Sequence, residues 1–476
     1  MSSLAFSSAL NLAQQIRQKQ LSPLEVTQFF LERIQRLDAQ LGSFVHVAAE
    51  TAIATAQQQT EQLAQCADPS QLPPFFGVPI GIKDLNAVAG MPIGYGVAGL
   101  PEKIAQYDEG VIQHLRRAGF ILLGKTATSE LGSFPYTETH GLPPTRNPWH
   151  LDYTPGGSSG GSAASVAAGL CPIALGSDGG GSIRGPASCC GLVGLKPSRG
   201  RVSLAPVGDY QSGIAVVGSL ARTVADAAAF LDVTAGYTVG DPYWLPTPAK
   251  GFLHLSRQSL PPLRLAYAYG VPPFPPTDHA GQEGVNRAIA VFQDLGYELT
   301  EACFHAEDLI EPFTQVWKAG VGASGIPGML LSPVNRWLAE NQESAGDYLQ
   351  AVRQMQITSR QIVAFFEEFD ALVLPVYGHQ PIRVGEWQDL SPAETLEKII
   401  HWVSPCPAAN ATGLPAIAMP VGIDHQGLPI GIQIMGKPAA EATILALAAQ
   451  LEAAQLFQAK LPHPFGLTES EIENRA

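Results

Sequence analysis

The stretch from Thr154 to Pro197 constrains this chain more than any other. It holds two glycine-rich turns, Thr154-Pro155-Gly156-Gly157-Ser158-Ser159-Gly160-Gly161-Ser162 and Gly176-Ser177-Asp178-Gly179-Gly180-Gly181-Ser182-Ile183-Arg184-Gly185. The small-residue run Ala163 to Gly169 predicts one short helix between them. Glycine is used where the backbone takes positive φ or must come close to another group. Consecutive glycines ahead of a serine can turn several N–H groups toward one point, making an anion-binding nest. A nest beside a hydroxyl suits acyl transfer, which needs a nucleophile and donors for an oxyanion.

A hydroxyl is a poor nucleophile until a base takes its proton. Gly77-Val78-Pro79-Ile80-Gly81-Ile82-Lys83-Asp84 supplies a candidate base. Lys83 closes an apolar, strand-like run, which places its ammonium in a dry site. Burial lowers a lysine pKa from about 10.4 by up to several units, enough to make it a neutral base. A lone lysine is otherwise an exposed residue at a strand end. Lys125 and Lys196 also follow apolar runs and read as structural. Asp178 reads as a turn former that bonds backbone N–H groups, and Arg184 as an anchor for carbonyls or a carboxylate.

Taken together these pieces resemble the amidase signature family, whose mark is a Ser–Ser–Lys triad. The resemblance covers nearly the whole chain. It is strongest over Gly77 to Ser203, over Asn410-Ala411-Thr412-Gly413-Leu414-Pro415, and through Glu441-Ala442-Thr443. It implies Ser182 as nucleophile, Ser158 as bridging serine after a cis Gly157–Ser158 peptide, and Lys83 as base. The backbone N–H groups of Gly179, Gly180, Gly181 and Ser182 are expected to form the oxyanion hole. Ser159 caps the following helix or, by the resemblance, helps hold the lysine. Gly132, Ser133 and Tyr136 are expected beside the substrate, with Phe313, Trp317 and Tyr377 as further lining candidates. No metal or cofactor is implied. One departure stands in the second turn: the family has a bulkier residue at the position of Gly179, so this nest is more flexible or admits a larger acyl group.

Other readings are weaker. Gly157-Ser158-Ser159-Gly160-Gly161 fits a Gly-x-Ser-x-Gly elbow, which would make Ser159 the nucleophile of an α/β-hydrolase-type esterase. That enzyme needs a later acid and histidine; His379, His401 and His425 are available but lie in no distinctive context. Neither turn is followed by Lys and Ser/Thr, so there is no Walker loop. A non-enzymatic scaffold needs no lysine and two serines at these spacings. Within the family, the rival is the A subunit of a tRNA-dependent glutamine amidotransferase. Those proteins carry an Arg-Arg-rich stretch and an acid before Asn-x-x-Gly-Leu-Pro that grips the glutamine amino group. Residues 330–370 have no such stretch, and His401 to Asn410 contain no acid. The reading is therefore a stand-alone amidase for neutral, apolar or aryl-containing amides.

The rest of the chain sets limits. Its 476 residues carry a net charge of −14, which argues against nucleic acid or an anionic membrane as main partner. Six cysteines without Cys-x-x-Cys spacing suggest no disulfide framework or zinc site. The N-terminus lacks a basic region followed by an apolar run, and cytoplasmic residence is expected. The sequence leaves the oligomeric state open, a homodimer included.

Strands alternating with helices predict an α/β fold with a central mixed sheet flanked by helices on both faces. Helices are expected at 8–20, 22–40, 49–66, 109–118, 217–236, 281–295, 344–369 and 445–456. Strands are expected at 78–82, 121–125, 173–176, 263–268 and 371–375, with paired strands in 410–435. A single domain, 1–476, is expected. Its parts are N-terminal helices (1–70), a catalytic core (75–236), an insertion shaping the pocket (237–405) and a C-terminal part of the core (406–476).

Overall fold

A computed structural model describes residues 2–458, 461, 464 and 465. The N-terminal helices form where their caps place them. Ser8 accepts from the Asn11 N–H ahead of the helix Ala9–Arg17. Ser22 and Glu25 form a reciprocal capping box, with Pro23 opening the helix Pro23–Leu41. That helix stops at Gly42, in left-handed backbone at φ 62°. Its buried stripe of Val26, Phe30, Ile34 and Leu37 packs into the main core.

Eleven strands then build one mixed sheet: β1 Phe44–Val47, β2 Pro79–Lys83, β3 Ile121–Thr126, β4 Ile173–Asp178, β5 Val193–Lys196, β6 Val216–Ala221, β7 Arg264–Tyr267, β8 Glu298–Glu301, β9 Ala371–Pro375, β10 Ala416–Ile423 and β11 Pro429–Gly436. Their spatial order is β1-β3-β2-β4-β6-β5-β10-β11-β9-β7-β8. β2 runs parallel to β3 and β4, whereas β4, β6, β5, β10, β11 and β9 pair antiparallel in turn. Every residue of β2, β3, β9 and β11 is buried. Strands buried on both faces read as continuous apolar runs, and they require helices on both sides. The α/β architecture with flanking helices is the one expected.

One expected helix is corrected. Residues 217–236 divide into β6 and a helix Val224–Thr234. Val216 and Val217 favour the pleat, and Gly218 sits where a Cβ would meet the Leu195 carbonyl oxygen at 2.2 Å. Thr223 then caps the helix by accepting from the Asp226 N–H. The short strands β1, β5 and β8 and the helices Glu307–Gly322, Pro333–Glu340 and Pro392–Val403 have no counterpart in the sequence expectations. Residues 237–405 do two things. They supply β7, β8 and β9 to one end of the sheet, and they send three helices over the C-terminal end of β4, where Ser182 lies. Among the described residues, no helix is long and apolar enough to cross a membrane.

Candidate active site

Lys83 is the last residue of β2 and is fully buried. Its Nζ donates to Ser158 Oγ at 2.7 Å, to Ser177 Oγ at 2.9 Å and to the Ser177 carbonyl at 3.3 Å. Burial brings its pKa down to about 7, and the Asp178 carboxylate only partly offsets this. The ammonium is therefore poised to shed its proton near neutrality. Ser158 follows a cis Gly157–Ser158 peptide, as the resemblance implies. Gly157 must be glycine here: a Cβ would lie 2.5 Å from the Tyr136 nitrogen and 2.6 Å from the Phe134 carbonyl oxygen. Gly132, at φ 70°, brings its backbone against Ser158, with the Cβ position 3.4 Å from Oγ.

Ser182 lies beyond β4, in the second turn. Asp178 shapes that turn from inside: Oδ1 accepts from the Gly181 N–H at 2.8 Å, and Oδ2 from Ile183 N–H at 3.1 Å and Arg184 N–H at 3.4 Å. Burial alone would push the Asp178 carboxyl up. The Arg184 guanidinium, Lys196 and Asn410 more than reverse this and hold it well below the usual carboxylate range. Arg184, also fully buried, forks onto Asp178 and reaches the Cys406 carbonyl, Gln433 Oε1 and Asn410 Oδ1. Asn410 Nδ2 donates back to the Asp178 carbonyl and carboxylate. This ion pair is dry, so removing one partner strands a charge. Arg184→Met is expected to destabilise the fold by about 3–5 kcal/mol, read as a lower denaturant midpoint at neutral pH. An unchanged midpoint would contradict the pairing.

Three expectations change. Gly181 spends its N–H on Asp178, so among the described residues only the N–H groups of Gly179, Gly180 and Ser182 remain uncommitted in the expected oxyanion set. Ser159 does not hold the lysine: its Oγ bonds the Ser177 carbonyl at 3.2 Å and Ser177 N–H at 3.4 Å, and Ser177 holds Lys83 instead. Nor does the Ser159 side chain cap the helix Gly160–Ala167. Tyr136 lies outside the cavities at Ser182, stacked on Phe134 and edge-on to Trp387. The elbow reading loses its support, because Ser159 is fully buried and no histidine bonds it among the described residues. Lys125 pairs with Asp84 at 2.8 Å, and Lys196 donates to the Pro197 carbonyl at 3.0 Å, both as structural groups.

Ser182 opens onto two cavities. One, of about 80 Å³, is lined by Ser133, Phe313, Leu338, Tyr377, Ile399 and Val403 among others. The second, of about 760 Å³, includes Gly132, Ser158, Ser177, Tyr95, Gln211 and Tyr348. Trp317 borders both. Ser177, Asn410 and Gln433 were not singled out as site residues from sequence. Ser177 stands beside Asp178 in the second glycine-rich turn and Asn410 opens the Asn410 to Pro415 stretch, which are the available signals; Gln433 has none.

Known proteins resemble this chain in sequence and in fold. A Synechocystis sp. (strain ATCC 27184 / PCC 6803 / Kazusa) protein named as an amidase is 61% identical over 94% of this chain and 88% of its own length. The glutamyl-tRNA(Gln) amidotransferase A chain of Microcystis aeruginosa (strain NIES-843 / IAM M-2473) is 33% identical over 89% of this chain and 92% of its own length. Among solved structures, 6-aminohexanoate cyclic dimer hydrolase superposes with a TM-score of 0.90 at 28% identity, covering 96% of this chain and 99% of that one. The Amidase family model matches residues 25–445, and the chain belongs to the amidase family of amide-hydrolysing enzymes.

Proposed function

We propose that this enzyme cleaves a carboxylic amide by acyl transfer to Ser182, with Ser158 as proton relay and Lys83 as base. The observation that carries the reading is the 2.7 Å hydrogen bond from Lys83 Nζ to Ser158 Oγ in a dry site. In the forward step Lys83, as free amine, takes a proton from Ser158, which takes one from Ser182. Ser182 Oγ bonds to the amide carbon, and the oxyanion turns to the uncommitted N–H groups of Gly179, Gly180 and Ser182. Each such donor is typically worth about 3–4 kcal/mol of transition-state stabilisation. The C–N bond then breaks, and the relay returns its proton to the leaving amine. Water attacks the acyl carbon by the same route, releasing the acid and free Ser182. No hydrogen bond joins Ser158 Oγ to Ser182 Oγ among the described residues. Catalytic hydrogen bonds are often long without substrate and tighten when it binds.

The glutamine amidotransferase reading is the alternative. Its ligand ammonium needs a buried acid, since an unpaired charge in a dry site is costly. The small cavity at Ser182 has an apolar wall of Leu396, Ile399, Ile400 and Val403 and no charged side chain among its lining residues. An acyl group held in the small cavity therefore meets no acid, since the acids lining the space at Ser182, Asp209 and Glu343, belong to the wide cavity instead, and this supports an enzyme that works alone. Purified protein is expected to hydrolyse aliphatic or aryl amides with neither tRNA nor partner proteins present. Glutaminase activity that appears only with the other amidotransferase subunits plus charged tRNA would reverse the assignment.

A further inference from the structure

The structure shows what covers Gly179 in the second turn. The helix Glu307–Gly322 presents Phe313 and Trp317 one turn apart, their rings stacked with centroids 6.0 Å apart and planes 18° apart. A Cβ on Gly179 would lie 3.3 Å from the Trp317 ring, tighter than ordinary contact. A Cβ on Gly180 would lie 3.6 Å from Phe313. The indole is thus seated on bare backbone, between the two cavities that meet at Ser182.

The two cavities differ in chemistry as well as size. Ser158 and Ser177 line only the wide one, whereas Gly180 and Gly181 line only the small one. The leaving amine must receive its proton from Ser158, so it departs on the wide side. The acyl substituent is left with the small side. The wide cavity's charged lining consists of Asp209 and Glu343, both acids, with no Lys, Arg or His. About 80 Å³ is roughly half the 150 Å³ of an apolar cavity that holds benzene, so it takes a chain of only a few non-hydrogen atoms.

We infer that Trp317, seated on Gly179, is the specificity-determining residue of this site: it divides the space at Ser182 so that a compact apolar acyl group fills the small cavity and a larger, neutral or cationic amine occupies the wide one. This inference rests on the Ser182 reading. The substrate class that follows is an amide of a short aliphatic acid with a sizeable amine that carries no negative charge.

The test is a matched pair of amide series on the purified enzyme. One holds an aryl amine fixed and lengthens a straight acyl chain from acetyl to dodecanoyl. The other holds a butanoyl group fixed and varies the amine from ammonia to bulky cationic and anionic amines. Wild type is expected to lose at least about tenfold in kcat/KM between hexanoyl and dodecanoyl, following the small volume, and to favour cationic over anionic amines. Trp317→Ala is expected to recover at least about tenfold of the dodecanoyl-to-hexanoyl ratio, since removing the indole merges the two spaces. Trp317→Leu, which keeps more of the packing, should shift the ratio in the same direction. A steep size cut-off in the amine series with a flat acyl series would reverse the orientation and overturn the inference. An acyl cut-off unmoved in both Trp317 variants would overturn it as well. Labelling by a fluorophosphonate separates the two levels. A labelled Ser182 with an unmoved cut-off sinks only the division by Trp317. An unlabelled Ser182 in active enzyme sinks the underlying reading.

Discussion

Ser182→Ala is expected to lower kcat/KM for amide hydrolysis by at least about four orders of magnitude while leaving the fold intact. The size of the effect follows from the chemistry. On the proposed mechanism, loss of Ser182 Oγ removes the acyl acceptor and leaves the relay through Lys83 and Ser158 nothing to deprotonate. In serine hydrolases built on a similar logic, loss of the nucleophile costs about 10⁶ in kcat, and what remains comes from the oxyanion donors and binding. The intact fold follows from the geometry. The Ser182 hydroxyl makes no hydrogen bond among the described residues, whereas its carbonyl, which accepts from Ser159 N–H at 3.3 Å, is untouched by the change. The measurements are steady-state kinetics beside a thermal melt. The melt should move by no more than about 1–2 °C, in keeping with the small cost of losing an unbonded group. Retention of more than a few per cent of activity by a well-folded variant would place the nucleophile elsewhere.

The second large effect concerns Lys83 and pH. Burial lowers its pKa from 10.5 to about 7. Below that pH the amine is protonated and, on the proposed mechanism, cannot start the relay, so kcat/KM is expected to fall about tenfold per pH unit on the acid side. Above it, activity reaches a plateau that extends into the alkaline range. Lys83→Ala should cost about 10²–10⁴ near neutrality, the usual worth of general-base catalysis, and recover partly at high pH, where hydroxide replaces the base. If Lys83→Ala keeps both the wild-type rate and the acid limb, the lysine has no part in the reaction. The sign for stability is separate. Between about 7 and 10.5 the unfolded chain binds a proton that the folded one has shed, so stability rises with pH across that window. Below it both states hold the proton and Lys83 contributes no slope. Lys196 is likewise brought down to about 7 by burial. A stability titration therefore reads both lysines, and the kinetic profile isolates Lys83.

The sheet and the side chains of the candidate site are legible in the sequence because their signals are local. β2, β3, β4 and β9 are short apolar runs between turn residues, and Lys83, Ser158 and Ser182 stand in motifs readable residue by residue. What was missed depends on partners far along the chain. Val216 to Ala221 looks helical when joined to Val224–Thr234, because alanine and leucine suit both; only pairing with β4 and β5 makes it a strand. The expected hole counted Gly181 because nothing in a Gly-Gly-Gly run says which N–H a neighbouring carboxylate will claim. Nothing local in the sequence sets Trp317 and Phe313 over Gly179 and Gly180; only the placement of their helix does. Apolar periodicity marks a buried face without naming what it faces.

The network at Arg184 bears on how the enzyme comes into being. Its partners Cys406, Asn410 and Gln433 lie 222, 226 and 249 residues further along the chain. Closing so long a span costs chain entropy before any contact rewards it. During synthesis from the N-terminus, Lys83, Ser158 and Ser182 all emerge long before the strand that carries Gln433. Until that strand is in place the Arg184 guanidinium, which braces the turn through Asp178, lacks one of its buried acceptors. The turn that carries Ser182 is thus braced by contacts of very long sequence separation, and its network closes only once the chain has been made through Gln433.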